Sequence, residues 1–131
     1  MDQALVIKAS MLEKKMQEAG GEIEFVEKEL TELSRFSDNL GYLISSKDNI
    51  ALSSLGKGVL IKTELKEKEL FVDVGSGVIV RKEPEEVRNI IKDQIAKLAE
   101  ERMRLIARAQ ILRENFFSVL KEIEKNQQTE S

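Results

Sequence analysis

The side chains that most often carry out chemistry in proteins are missing from this sequence. It contains no Cys, so there is no thiolate nucleophile and no Cys-ligated metal. It also contains no His, which is the commonest general base and a common ligand of transition metals. Asp and Glu are plentiful, so chemistry based on carboxylates alone stays possible in principle. The sequence predicts no catalytic residue and no metal site, and an enzyme is the least expected class of function.

Two glycine pairs, Gly56 with Gly58 and Gly75 with Gly77, resemble fragments of phosphate-binding loops. A phosphate loop has the form G-x-x-x-x-G-K-[ST] and runs from a strand into a helix N-terminus, and neither pair fits that pattern. The turns of β-hairpins need positive φ, which Gly adopts readily, and they explain both pairs. We therefore expect no nucleotide and no other cofactor.

The composition is typical of long exposed helices, because 34% of the residues are charged, 5% are aromatic and one is Pro. The net charge is −3, and the excess of acids lies in residues 1–44. A nucleic-acid-binding arm needs Lys and Arg clustered on one face, so nucleic acid is not an expected partner. No apolar run has the length of a membrane span and no signal-peptide pattern opens the sequence, which predicts a cytoplasmic protein without a membrane partner.

Heptad spacing predicts a long helix over residues 1–46. Two interleaved series with a spacing of seven run through it: Leu5, Leu12, Ala19, Val26, Leu33 and Leu40, and Ala9, Met16, Ile23, Leu30, Ser37 and Ile44. This alternation is that of the d and a positions of a coiled coil. Within this helix, Gly20 and Gly21 have two possible explanations. They are either outward-facing positions that need no side chain or a soft point, meaning a place where the helix can flex.

A second helix is predicted over residues 84–126, with Pro84, Glu85 and Glu86 suited to its first turn. Its seam residues are Ile91, Leu98, Leu105, Leu112 and Val119 at d, and Ile95, Arg102, Ala109, Phe116 and Ile123 at a. One antiparallel register within the chain places Leu5 opposite Ile123, Leu12 opposite Phe116, Met16 opposite Leu112, Ala19 opposite Ala109 and Leu33 opposite Ile95. One layer of this register is not apolar, because it places Arg102 opposite Val26. The aliphatic part of the arginine side chain can pack in the seam while its guanidinium reaches solvent.

Residues 49–82, between the helices, change to the period of two that is typical of strands. Four short strands, separated by the two glycine pairs and by the charged turn Lys66 to Glu69, predict two β-hairpins. Apolar residues occur on both faces. Leu60, Phe71 and Ile79 point away from a main set that could line one surface: Val59, Ile61, Leu65, Leu70, Val72, Val74, Val78 and Val80. Phe71 and this main set are the expected contacts between subunits. So small a sheet, with open edges, needs other chains, which predicts an assembly module.

The order of these features resembles the prefoldin family, and in particular its alpha subunits. The resemblance rests on Gly56 and Gly58, an apolar strand, a charged turn, the run Val72-Asp-Val-Gly-Ser-Gly-Val78 and the acidic entry to the second helix. It implies one prefoldin-like domain over 1–131 of α+β class: a long antiparallel two-helix coiled coil, joined at its base by two hairpins that oligomerise into a β-barrel platform, with a frayed tail at 127–131. Room for two hairpins favours the alpha type over the beta type.

The same resemblance implies a function. Prefoldin is an ATP-independent holdase of two alpha and four beta subunits, which captures unfolded polypeptides at the tips of its coiled coils and passes them to a group II chaperonin. At the tips, apolar residues off the seam are the expected client contacts: Val6, Ile7, Met11, Ile111, Phe117 and Leu120. An exposed apolar patch marks an interaction site, although scattered apolar residues are ordinary on surfaces, and Phe25 and Met103 also lie off the seam.

Two other functions remain open from the residues alone. A coiled-coil scaffold or filament component could use the same β platform without binding clients, and bare, charged tips would favour it. A nucleic-acid-binding helical arm is the other, and the acidic first helix argues against it. The apolar residues at the tips favour the chaperone.

Overall fold

Two long helices account for most of the chain. The computed structural model describes residues 3–130, with α1 at Gln3–Ser45 and α2 at Pro84–Glu130. Met1, Asp2 and Ser131, which belong to the predicted first helix and tail, lie outside the described residues. Helix α2 continues beyond residue 126, where the prediction ended it, because Gln127 and Gln128 have good helix propensity.

The first of two compact units consists of the chain up to Thr31 together with the chain from Ala96 onward. Its core is a seam between α1 and α2, made of residues that the predicted register places opposite one another: Leu5, Ala9, Leu12, Met16, Ala19, Ala109, Leu112, Phe116, Val119 and Ile123. The antiparallel pairing of the two helices is therefore confirmed in this unit.

Arg102, the arginine in the seam of the first unit, forms an ion pair outside the seam. The head of Arg102 leaves the seam, and its Nε donates a hydrogen bond to Glu27 Oε1 at 3.0 Å. Both side chains are partly exposed, and a pair of this kind contributes about 0–1 kcal/mol. The layer with Val26 is thus tolerated because the charge keeps both water and a carboxylate partner.

The second unit, Glu32–Ile95, holds the C-terminal part of α1, the N-terminal part of α2 and all of the strands. Its buried core consists of Leu40 from α1 with Val87 and Ile91 from α2. Leu33 and Ile95 pack on this cluster, as do Leu70 and Val72 from the linker. One linker segment is therefore anchored directly to the helices.

Four short strands form two antiparallel hairpins. Strand β1 (Ile50–Gly56) pairs with β2 (Val59–Glu64), and β3 (Leu70–Asp73) pairs with β4 (Ile79–Lys82). The predicted hairpins are confirmed. Because each sheet has two strands, every strand keeps one backbone edge without a partner strand among residues 3–130.

Both hairpins turn at a pair of residues with left-handed backbone. The φ angle is 52° at Lys57 and 80° at Gly58, and it is 52° at Ser76 and 75° at Gly77. Positive φ at both central positions defines the type I′ turn, whose twist matches that of the flanking strands. The glycine pairs thus serve hairpin turns, and neither leads into a helix.

Helix α1 runs without interruption through Gly20 and Gly21. A Cβ added at either position would meet nothing within 4 Å, and neither residue has a positive φ. Both positions are therefore open to solvent, which agrees with the interpretation that no side chain is needed there.

Replacing Gly20 and Gly21 together by Ala should raise the free energy of unfolding by about 2 kcal/mol, because each Gly in a helix interior costs about 1 kcal/mol relative to Ala. Urea denaturation followed by circular dichroism measures this. An unchanged or lowered stability would show that the helix is not continuous at this point in solution. A stabilised variant that suppresses client aggregation less well would assign the pair a role as a soft point.

Candidate functional site

The hairpin β1–β2 exposes apolar side chains on both of its faces. Leu60 lies opposite Ser54 and so shares a face with Leu52, whereas Ile61 lies opposite Ser53 on the other face. The exposed large apolar residues here are Ile50, Leu52, Leu55, Val59, Leu60 and Ile61. A ribbon with apolar groups on both sides is not stable as a free element in water, so this surface is a candidate contact site.

The hairpin β3–β4 has one covered face and one open face. Leu70 and Val72 pack on the core of the second unit. Phe71 and Ile79 lie on the opposite face, since side chains alternate along a strand, and they are 68% and 64% exposed. The open face therefore presents an aromatic and a branched aliphatic side chain to solvent.

The predicted platform residues divide into two groups in the structure. Leu70 and Val72 are used largely within the chain, and Leu65 is half-buried. The others are exposed: Val59, Ile61, Phe71, Val74, Val78 and Val80. These side chains are free to contact another chain, and their role in assembly stays a prediction.

Sequence reasoning missed the apolar residues of β1. Ile50, Leu52 and Leu55 are at least half exposed, and Leu55 is 67% exposed. Ser53 and Ser54 lie in the middle of this strand and gave it a mixed character. A signal for these exposed residues was present in the sequence, because Leu52 and Leu55 lie in a predicted strand that leads into a glycine turn.

Charged groups fix the turn between the hairpins. Arg81 Nη2 lies 2.7 Å from Glu69 Oε1 and 3.1 Å from Glu83 Oε1. A hydrogen bond with the carboxyl of Glu69, together with the charge of that carboxyl, raises the pKa of Glu67 above its ordinary value, while Arg81 opposes the shift. Lys68 Nζ donates to the backbone carbonyl of Ser46 at the end of α1. The turn is thus tied both to β4 and to α1.

The predicted client-binding residues are all exposed in the first unit. Ile7 is 60% exposed and Met11 is 57% exposed, on one face of α1. Phe117 is exposed on α2, and its ring centroid lies 6.0 Å from that of the seam residue Phe116. Val6, Ile111 and Leu120 are exposed as well. The helix ends therefore offer apolar surface off the seam.

The same region of the first unit also has a polar side. A small pocket of about 220 Å³ lies over the seam residues Leu12 and Val119. Its other lining residues are polar or charged: Lys8, Asn115, Ser118 and Glu122. The apolar surface at the helix ends is thus bounded by polar groups, as is typical of an interaction site.

Exposure alone does not single out the helix ends. Phe25 is 65% exposed and Met103 is 70% exposed, near the middle of α1 and of α2 respectively. Phe25 lies in a groove rimmed by the carboxylates of Glu18, Glu22 and Glu101. Phe25 and Met103 are therefore the natural control positions for any test of client binding at the helix ends.

Among residues 3–128, whose side chains the structure describes, no group of three or more acidic side chains is arranged to hold a metal ion. Over the same range, neither α1 nor α2 contains a stretch long and apolar enough to cross a membrane.

Two long paired helices joined by two small hairpins define the class of this chain: an α+β coiled-coil hairpin protein whose linker exposes apolar faces. The family model described as Prefoldin subunit matches residues 11–129. The chain belongs to the prefoldin family, which is a family of chaperones and not of enzymes. The predicted resemblance is confirmed.

Known relatives agree with this assignment. Prefoldin subunit alpha of Archaeoglobus fulgidus is 32% identical over 81 residues, which are 61% of this chain and 59% of that protein. The match thus spans less than two thirds of this curated relative. A chain of the filamentous prefoldin of Methanocaldococcus jannaschii, solved by cryo-electron microscopy, has a TM-score of 0.69 and 20% identity, with 92% of this chain and 99% of that chain covered. At this identity the likeness shows the fold.

Proposed function

We propose that this chain is a subunit of an ATP-independent holdase that captures unfolded polypeptides and delivers them to a group II chaperonin in the cytoplasm. The proposal rests on one observation. This chain belongs to the prefoldin family, and both hairpins between its helices expose apolar faces and unpaired strand edges. Such surfaces need a partner chain. Capture without catalysis also suits a chain that lacks His and Cys.

Assembly is proposed to use the hairpins and to include prefoldin beta subunits, with two alpha and four beta chains. The open face of β3–β4 supports this, because Phe71 and Ile79 are two large apolar side chains without an intramolecular cover. Burial of such side chains contributes about 1.5–3 kcal/mol each. The free edges of the strands add backbone hydrogen bonds when a strand of another chain lies beside them.

Client capture is proposed to use the helix ends. Ile7 and Met11 on α1 and Phe117 on α2 support this assignment, since they expose apolar surface at positions normally given to solvent. Met adapts its shape to varied partners, which suits a site for many unfolded chains. Val6, Ile111 and Leu120 extend the same surface.

A filament or scaffold component is the second candidate. It is favoured by one observation, namely that the similar prefoldin of Methanocaldococcus jannaschii is filamentous. In that case the hairpins of this chain would join copies of itself into an open series, without clients. The apolar helix ends of this chain favour the chaperone, because a scaffold has no use for them.

Native mass spectrometry of the chain, alone and with the cognate prefoldin beta subunit, tests the assembly. We expect a closed hetero-oligomer of two alpha and four beta chains in the mixture. A ladder of masses that grows with the concentration of the chain alone would support the filament instead. A chain that stays monomeric in both samples would contradict both candidates.

A further inference from the structure

Arg88 carries a buried donor that nothing satisfies. Its Nε is inaccessible to solvent and has no hydrogen-bond partner among the described residues. A buried hydrogen-bonding group without a partner is costly, more so when it carries charge. Arg88 precedes Ile95 by one heptad, so it occupies a seam position of α2 in the layer of Leu40. The orphan donor is therefore part of the helical pair itself.

The same chain shows how such an arginine is satisfied. Arg102 occupies the seam position two heptads after Arg88, and its Nε donates to Glu27 Oε1 at 3.0 Å. Because the helices are antiparallel, the position of α1 that corresponds to Glu27 in the Arg88 layer lies two heptads after Glu27, and it is Gly41. The carboxylate present in one layer is thus missing in the other.

Space remains where the missing carboxylate would lie. A pocket of about 380 Å³ is lined by Arg88, by Gly41 and by polar groups of α1 that include Ser37 and Ser45. A Cβ added to Gly41 would lie 3.8 Å from Arg88 Nη2, so the guanidinium lies beside the bare backbone of Gly41. Asp38 also lines the pocket, but it forms no ion pair with Arg88 within the described chain.

We propose that this pocket takes a carboxylate side chain, Asp or Glu, from a second subunit of the assembly. The carboxylate pairs with the Nη2 end of the guanidinium, which lies beside Gly41, through charge-assisted hydrogen bonds, and the hydroxyls of Ser37 and Ser45 can donate further ones. Arg88 lies next to Val87 in the unit that holds both hairpins, and Leu70 of β3 packs on Val87's cluster. A subunit that docks on the hairpins therefore brings its side chains to the unit that contains the pocket.

The inference rests on the proposed assembly, and variants of the full-length chain mixed with the cognate prefoldin beta subunit test it. Gly41→Glu supplies the carboxylate within the chain, as Glu27 does for Arg102. Arg88→Met removes the guanidinium and keeps the stem. Each should raise the dissociation constant of the assembly about tenfold to a hundredfold, the usual effect of losing a hydrogen bond to a charged group. Gly41→Glu should also raise the Tm of the unassembled chain.

Two matched controls separate charge and helix propensity from the pocket. Gly41→Ala improves the helix without filling the site, and Gly20→Glu adds the same charge at a helix glycine with nothing within 4 Å. Both should assemble within about twofold of the original chain, since neither places a carboxylate at the guanidinium. Acetate, compared with chloride at equal ionic strength, should not shift the Nε–H resonance of Arg88 in the unassembled chain.

Three results would overturn the inference. Assembly of Gly41→Glu and Arg88→Met at wild-type strength would show that no partner carboxylate uses the pocket, while leaving the proposed assembly intact. A saturable shift with acetate would identify a free small carboxylate as the ligand instead of a subunit. An original chain that does not assemble contradicts both the inference and the proposed function.

Discussion

Replacing residues 50–82 by a short turn is expected to abolish assembly and to leave helical monomers. The seam of the first unit, with Leu12, Ala19 and Leu112 at its centre, does not involve the hairpins, so it can keep α1 and α2 paired. The exposed apolar faces and open strand edges are removed together. Native mass spectrometry gives the oligomer mass, and circular dichroism gives the helix content.

A milder variant controls for damage to the second unit. Changing Phe71 and Ile79 to Ser alters the open face of β3–β4, while Leu70 and Val72 keep their contacts with the helices. This variant should keep its helix content and its hairpins but lose most of the oligomer. A full-size oligomer formed by the deletion variant would show that assembly resides in the helices.

Changing Ile7, Met11, Phe117 and Leu120 to Ser should weaken the suppression of client aggregation without changing the mass of the oligomer. Hydrophobic capture scales with apolar area, at about 25 cal/mol per Å² removed from water. Several arms on one assembly act together, so small losses on each arm multiply. We expect the amount of oligomer needed for half-suppression to rise at least about tenfold, as measured by light scattering.

The control for this experiment lies in the middle of the helical pair. Phe25→Ser and Met103→Ser remove side chains that are as exposed as those at the ends. Suppression by this variant should stay within about twofold of the original. Helicity must be compared as well, because Leu120 flanks the seam. If the mid-arm variant loses activity and the end variant keeps it, clients bind along the arm.

The helical pairing was predictable from the sequence because one period dominates it. Leu12 and Ala19 on α1 recur with the same spacing as Leu112 and Val119 on α2, and a single antiparallel register places Leu12 opposite Phe116 and Ala19 opposite Ala109. The hairpin turns were predictable for a similar reason, since positive φ at Gly58 and Gly77 restricts the choice of residue.

The faces of the hairpins were not predictable, because both faces carry apolar residues. Val72 and Phe71 are neighbours of similar hydrophobicity, and only the contact with the Leu40 cluster shows that the first is covered and the second open. The end of α2 was also missed, because a polar tail such as Gln127 and Gln128 suits helix and coil alike.

The choice of helix-end residues as the client site came from the resemblance and not from a local signal. Met11 at an end and Met103 in the middle are both apolar, off the seam and exposed. Nothing in their spacing distinguishes a site from ordinary surface. The unpartnered Nε of Arg88 was not predicted from the sequence. A seam arginine can find a hydrogen-bond partner or not, depending on the α1 residue that follows the one opposite it, and here that residue is Gly41.

The most direct test of the chaperone assignment is light scattering from a chemically unfolded client diluted into the assembled oligomer, without nucleotide. We expect the oligomer to suppress aggregation in proportion to its concentration, and neither ATP nor a chelator should change the result. An oligomer of full mass that leaves client aggregation unchanged would contradict the holdase function and leave the scaffold. Suppression that appears only after ATP is added would contradict the proposed ATP-independent mechanism.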